Sequence, residues 1–203
     1  MTVRLKMAGE FRIGEGQPWM PLEAEEYYTT DPPGFVWPAT IKMNPLLSIT
    51  GRDRYFDGKG EIDMRLLSLI PVARSSGPRL DQGALLRYLN ETMWFPAAVV
   101  NRYITWEAVD VTSARATMTY AGVTATATFL FDEQGRLINM VAERYHDASG
   151  SMQTWSTPIS EYGEFNGIRV PVAGEGIWKL SSGDFAYIRP RITELEYNRA
   201  ALY

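Results

Sequence analysis

Residues 81–100, DQGALLRYLNETMWFPAAVV, have the apolar spacing of a helix, although most of the chain has the spacing of β-strands. The apolar residues of this stretch recur at intervals of three and four, which predicts one buried helical face. That face consists of Leu85, Leu86, Leu89 and Met93, and the opposite face carries Arg87, Asn90 and Glu91. Asp81 is expected to cap the helix, and Pro96 to end it, so the helix covers about residues 81–95.

The rest of the chain alternates apolar and polar residues, as in Val123-Thr-Ala-Thr-Ala-Thr-Phe129. Alternation of period two predicts strands with one buried face, and Asn166-Gly167 between two such runs predicts a type I′ hairpin turn. Parallel strands would need crossover helices, and only one helix is indicated. The sequence therefore predicts a mainly β (α+β) fold, a curled antiparallel meander of about ten strands forming a half-barrel or open barrel.

A chain of 203 residues with 45% hydrophobic content can build one sizeable core, and no linker or repeat divides it, so we expect one domain over residues 1–203. The net charge of −4 and the scattered Lys and Arg residues argue against nucleic-acid binding. No run of residues is long and apolar enough to span a bilayer, and the start of the chain does not resemble a signal peptide. The sequence leaves the compartment unknown: as given it is read as cytoplasmic, with membrane tethering or export only if residues precede Met1.

A single amphipathic helix in a curled sheet is expected to cover the concave face. Eight or more curled strands can either be filled by side chains or hold one small ligand, and both alternatives stay open here. If a cavity exists, an apolar, lipid-like ligand would lie beneath the helix. The predicted ligand-binding residues are Trp37, Tyr55, Leu86, Leu89, Met93, Trp94, Met118 and Phe129.

Three acidic residues share the parity of apolar neighbours: Glu26, Asp53 and Glu143. A converging pair of buried carboxyls could act as general acid and base. Asp53 and Glu143, with Tyr55 as hydrogen-bond donor, are accordingly the candidate catalytic residues if the protein is an enzyme. The alternative is that these carboxylates are neutralised by Arg52, Arg54 or Arg144, by a tyrosine, or displaced by a β-bulge.

No established catalytic or phosphate-binding motif is present, including the G-x-S-x-G, H-E-x-x-H and Walker patterns. With one histidine and no cysteine, a transition-metal site is not expected, and neither is a cofactor. The two function hypotheses are a non-enzymatic carrier or sensor of an apolar ligand and, as the alternative, a cofactor-free isomerase, cyclase or hydrolase. The oligomeric state is not indicated.

Several phrases occur together: PPGFVW, RDRYFDGKGEIDMRLLSLIPV, GALLRYLNETMWFPAA and WEAVDVTSARATM. In these phrases the chain resembles an uncharacterised bacterial family, a domain of unknown function, over most of residues 7–197. That family supplies no catalytic residues to carry over. In layout, the chain is also similar to the lipoprotein-carrier (LolA/LolB-like) fold, an unclosed antiparallel barrel with an apolar concave face covered by a helix. This resemblance implies an acyl chain or other lipid-like ligand.

Overall fold

The computed structural model describes all residues, Met1–Tyr203, and places fifteen antiparallel strands in one hydrogen-bonded sheet. The single α-helix, α1, runs from Pro78 to Glu91 and is followed by two 3-10 helices, Thr92–Trp94 and Pro96–Val100. The strands are β1 Thr2–Phe11, β2 Met20–Thr30, β3 Pro33–Asn44, β4 Leu47–Phe56, β5 Lys59–Leu66, β6 Ile70–Ser76, β7 Ile104–Asp110, β8 Ser113–Tyr120, β9 Val123–Phe131, β10 Leu137–His146, β11 Ser151–Ser156, β12 Ile159–Phe165, β13 Ile168–Gly174, β14 Gly176–Leu180 and β15 Gly183–Tyr197.

The helix lies in the segment of the chain that connects the two edge strands of the sheet. Thirteen strands follow the order β6-β5-β4-β3-β2-β1-β15-β14-β11-β10-β9-β8-β7, with β12 and β13 forming a hairpin beside β15. Strands β6 and β7 are therefore the two opposite edges of the sheet, and α1 is the segment that joins them. The helix contacts both β3–β6 and β8–β10, so the sheet curves around it as a half-barrel.

This architecture confirms the predicted curled antiparallel half-barrel with one helix, although the strands outnumber the ten expected. The exposed edge strand β6 lacks a clean alternation, and β11 and β12 are two separate strands within a stretch whose apolar pattern runs on from Met152 to Tyr162. The turn at Asn166-Gly167 has positive φ values of 51° and 78°, as the type I′ prediction requires. Asp57-Gly58 makes a similar two-residue turn, with φ values of 49° and 77°.

Both predicted ends of the helix need correction. The helix begins at Pro78, whose fixed φ suits the first turn, so Asp81 lies inside it and does not cap it. The Asp81 carboxylate instead accepts a hydrogen bond from the Gly60 backbone N–H at 2.9 Å and forms an ion pair with Lys59 at 2.9 Å. Asp81 thus fastens the first helical turn to the β4–β5 hairpin.

The helix also ends earlier than Pro96. The Thr92 hydroxyl donates to the Leu89 carbonyl at 2.7 Å, and a 3-10 turn follows. Phe95 then leaves helical geometry, with φ −137° and ψ 71°, because a residue preceding proline disfavours the helical region.

The apolar side of α1 packs into a dense core. Leu85, Leu86 and Leu89 are completely buried, and Tyr88 and Phe95 pack with Tyr28 as an aromatic group. These residues belong to one cluster of 36 buried hydrophobic residues. None of the helices is long and apolar enough to span a bilayer.

Candidate binding cavity

A cavity of about 710 Å³ lies on the concave side of the sheet, beside α1. It falls within the range of about 300–1,000 Å³ that is typical of small-molecule sites. Of its 39 lining residues, 23 are hydrophobic. One wall is contributed by β1 and β3–β6, with Met7, Phe11, Ile41, Ile49, Ile62 and Met64. The opposite wall comes from β10–β15 and carries Trp155, Val172, Trp178 and Ile192.

The helix turns its polar face, not its apolar face, toward this cavity. Gly83, Arg87, Asn90 and Glu91 line it, at intervals that place them on one side of the helix. Leu85, Leu86 and Leu89 of the apolar face lie on the opposite side, in the packed core, whereas Met93, beyond the end of α1, lines the cavity. The two alternatives left open by the sequence therefore coexist: the apolar stripe is dry core, and the cavity lies across the helix from it.

The predicted ligand-binding residues divide accordingly. Trp37, Met93 and Trp94 line the cavity, and the Trp94 indole donates to the Pro171 carbonyl at 3.1 Å. Phe129 lines a second, smaller cavity of about 540 Å³, which Met93 also borders. The other predicted positions are buried in the core and do not line either cavity: Tyr55, Leu86, Leu89 and Met118.

The candidate catalytic carboxylates do not meet. Asp53 lines the cavity and is buried, whereas Glu143 is exposed on β10, where it accepts a hydrogen bond from Thr154 at 2.7 Å. The buried residues of β10 are Met140 and Ala142, which alternate with Glu143, so Glu143 points to the outer face. Tyr55 packs between Phe35 and Tyr120, and its hydroxyl has no hydrogen-bond partner.

Arg87 is the residue that neutralises the inward acids, a role the sequence assigned to other arginines. Its guanidinium contacts Glu26, Asp53 and Glu91, each at 2.7 Å. Its carbon also lies 4.8 Å from the ring centres of Phe35 and Trp37, a favourable cation–π geometry. We call Arg87, Glu26, Asp53 and Glu91 the Arg87 cluster.

The Arg87 cluster contains more acid than base. Three carboxylates face one guanidinium, and Glu26 is completely buried. Burial raises the pKa of Glu26 well above its usual value, against the opposing effect of Arg87. Burial likewise raises the pKa of Glu91, whose carboxylate accepts a hydrogen bond from Tyr28 at 3.2 Å. The cluster therefore retains a proton at pH values where exposed carboxyls have lost theirs.

The sequence contained a partial signal for this cluster. Glu26 and Asp53 share the parity of buried residues, and Arg87 and Glu91 are spaced as an i, i+4 ion pair. The sequence could not predict that strands β2 and β4, which carry Glu26 and Asp53, lie against the side of the helix that carries Arg87 and Glu91. No group of three or more His, Asp or Glu side chains is arranged so that it could hold a metal ion.

Comparison with known proteins supports the architecture. The model of a family of unknown function, DUF6544, matches residues 1–190. A solved structure of a DUF1329 family protein from Desulfovibrio piger ATCC 29098 superposes with a TM-score of 0.53 at 9% identity, over 99% of this chain and 87% of that one. DUF1329 is a family with the LolA/LolB-like fold, so the resemblance in layout to lipoprotein carriers is confirmed at the level of fold. No curated protein matches the sequence.

Proposed function

Because this chain belongs to DUF6544, a family of unknown function, we propose its function from its own geometry: it is a carrier or sensor that holds an apolar, lipid-like ligand. The observation that carries the proposal is the cavity of about 710 Å³ with a mainly hydrophobic lining. A protein stabilised by its core alone gains nothing from such a space, because unfilled apolar surface forfeits packing contacts.

The packing of the helix supports the same conclusion. The apolar residues Leu85, Leu86 and Leu89 of α1 are fully buried against the sheet, so the cavity is not the result of incomplete packing of the helix. Trp37, Trp155 and Trp178 present large apolar surfaces along its walls, and methionines such as Met7 and Met64 adapt to irregular ligands. These side chains suit an apolar body of variable shape.

The alternative of a cofactor-free enzyme has less support. It required two convergent carboxyls, and Asp53 faces the cavity while Glu143 lies outside it. Asp53 is itself paired with Arg87 at 2.7 Å, and no second carboxyl outside the Arg87 cluster faces it across the cavity without a partner of its own except the exposed Asp147. The proposal therefore includes no reaction.

The first test is mass spectrometry of an organic extract of the purified protein, with native mass spectrometry of the intact sample. A stoichiometric apolar companion is the expected result. For protein that emerges empty, titration with the uncharged apolar fluorophore N-phenyl-1-naphthylamine measures whether the cavity accepts a ligand.

A cavity-filling variant makes the test specific to this site. Ala173 lines the cavity on β13, so Ala173→Trp should abolish binding of the fluorophore while the fold persists. Ala8 is exposed on β1, and Ala8→Trp serves as the matched control with binding unchanged. Equal binding by both variants, or no binding by the wild type in either assay, would refute the carrier proposal.

A further inference from the structure

One end of the cavity carries a positively charged side chain, Arg144, that has no carboxylate partner, and this feature bears on the polar end of the proposed ligand. Three arginines line the cavity: Arg79, Arg87 and Arg144. Arg87 uses its Nε, Nη1 and Nη2 atoms on the three carboxylates of its cluster. Arg79 donates to the Tyr145 hydroxyl and lies over the Tyr145 ring. The guanidinium of Arg144 makes neither a hydrogen bond nor an ion pair, although the residue is only partly exposed.

Aromatic rings hold Arg144 in place. Its guanidinium carbon lies 4.6 Å from the Trp155 ring centre and 5.7 Å from that of Trp178. Contact with a ring face orients the planar group but satisfies none of its N–H donors. Arg144 is half-buried and lines the cavity, so its N–H donors are free to pair with the acceptors of a ligand that enters there.

The helix leaves room for this arrangement. A side-chain carbon on Gly83 would lie 3.3 Å from Arg144 Nε, tighter than ordinary contact. Glycine within a helix costs about 0.5–1 kcal/mol relative to alanine, so its presence here needs a reason. The reason is that Arg144 extends against the helix backbone, between Gly83 and Trp155.

The neighbouring side chains at this end suit an anion, because Arg79 adds a second positive charge and His146 adds a polar ring. His146 stacks on Trp178 with ring centres 4.7 Å apart and also lines the cavity, as does Arg79. Four acids line the cavity, but Asp53 and Glu91 are paired with Arg87, and Glu175 with Arg189 at 2.7 Å. The fourth, Asp147, is exposed and makes no ion pair. Arg144 thus faces the cavity without a carboxylate of its own.

We propose that the cavity binds an amphiphile whose anionic head group, a carboxylate or a phosphate, pairs with Arg144. The apolar tail then lies along the wall formed by Met7, Ile41, Ile49 and Met64. A guanidinium suits both head groups, because its parallel N–H groups match two oxygens of either one. This inference rests on the proposed carrier function and specifies the class of ligand.

The test compares three probes that share a sixteen-carbon chain: palmitate, hexadecyl phosphate and uncharged hexadecanol. Each is titrated by displacement of N-phenyl-1-naphthylamine from the wild type, Arg144→Gln and Arg144→Lys. The matched control is Arg115→Gln, at an exposed arginine on β8 that pairs with Glu107 at 3.3 Å. Retained binding of the fluorophore shows that a variant is folded with an open cavity.

The wild type should bind at least one anionic probe about ten- to a hundredfold more tightly than hexadecanol, the effect of charge-assisted hydrogen bonds. Arg144→Gln should erase that preference, Arg144→Lys should keep part of it, and Arg115→Gln should change nothing. Preference for palmitate over hexadecyl phosphate, or the reverse, identifies the head group. Equal binding of all three probes by the wild type would overturn the head-group inference and leave the carrier function standing. Binding of no probe, fluorophore included, would overturn the carrier function itself.

Discussion

Replacing Arg87 by methionine tests whether the Arg87 cluster stabilises the fold as the structure indicates. Methionine keeps the length and apolar stem of the side chain, so the change removes the charge and its hydrogen bonds more than the packing. The substitution leaves Glu26, which is completely buried, and Asp53 and Glu91, which are nearly so, without a cation.

Removing one partner from a buried ion pair costs about 3–5 kcal/mol, because the remaining charge stays desolvated and unpaired. Three carboxylates depend on this one guanidinium, so we expect the upper part of that range at pH 7. For a chain of this size each kcal/mol lowers the melting temperature by about 2–4 °C, so a cost of about 4–5 kcal/mol corresponds to a fall of about 8–20 °C. The loss should be smaller at pH 5, because protonated carboxyls no longer need the cation.

Urea unfolding followed by tryptophan fluorescence measures the loss in free energy of unfolding at pH 5 and at pH 7. Arg115→Met is the control, because Arg115 forms an exposed ion pair worth less than about 1 kcal/mol. Adding Glu26→Gln to Arg87→Met should recover part of the loss. A cost at pH 7 no larger than that of Arg115→Met, or a cost that grows on acidification, would show that the Arg87 cluster does not stabilise the fold in this way.

Three further predictions concern single positions. Because burial raises the pKa of Glu26, the native state retains a proton that the unfolded state releases above pH of about 4.5, so stability declines as pH rises through this range; Glu26→Gln should flatten that decline in urea unfolding between pH 4.5 and 8. Asp81→Ala should cost about 1–3 kcal/mol in the same assay at pH 7, since it leaves the buried Gly60 N–H without an acceptor, and an unchanged midpoint would contradict the proposed fastening of the helix. Gly167→Ala should lower stability by about 1–2 kcal/mol because its φ is 78°, whereas Gly14→Ala, at a glycine without positive φ, should be close to neutral by thermal unfolding.

Part of the candidate site could be predicted from the sequence. The parity of Glu26 and Asp53 placed both on the inward face, and their burial agrees with that prediction. Glu143 has the same sequence signal but lies on the outer face of the sheet. Alternation divides the residues of a strand between two faces, and where both faces carry apolar side chains it does not show which face is buried. The role of Arg144, flanked by Glu143 and Tyr145, had no signal at all.

The local elements could be read from the amino-acid sequence: alternating strands, positive-φ turns such as Asn166-Gly167, and one amphipathic helix in a meander. These follow from local periodicity and from the few residues that tolerate special backbone angles. Three features became visible in the folded structure alone: the helix joins the two edge strands β6 and β7, its apolar side is packed in the core, and its polar side faces the cavity. A hydrophobic stripe predicts which side of a helix is buried, but the curvature of the sheet determines which residues surround the opposite side.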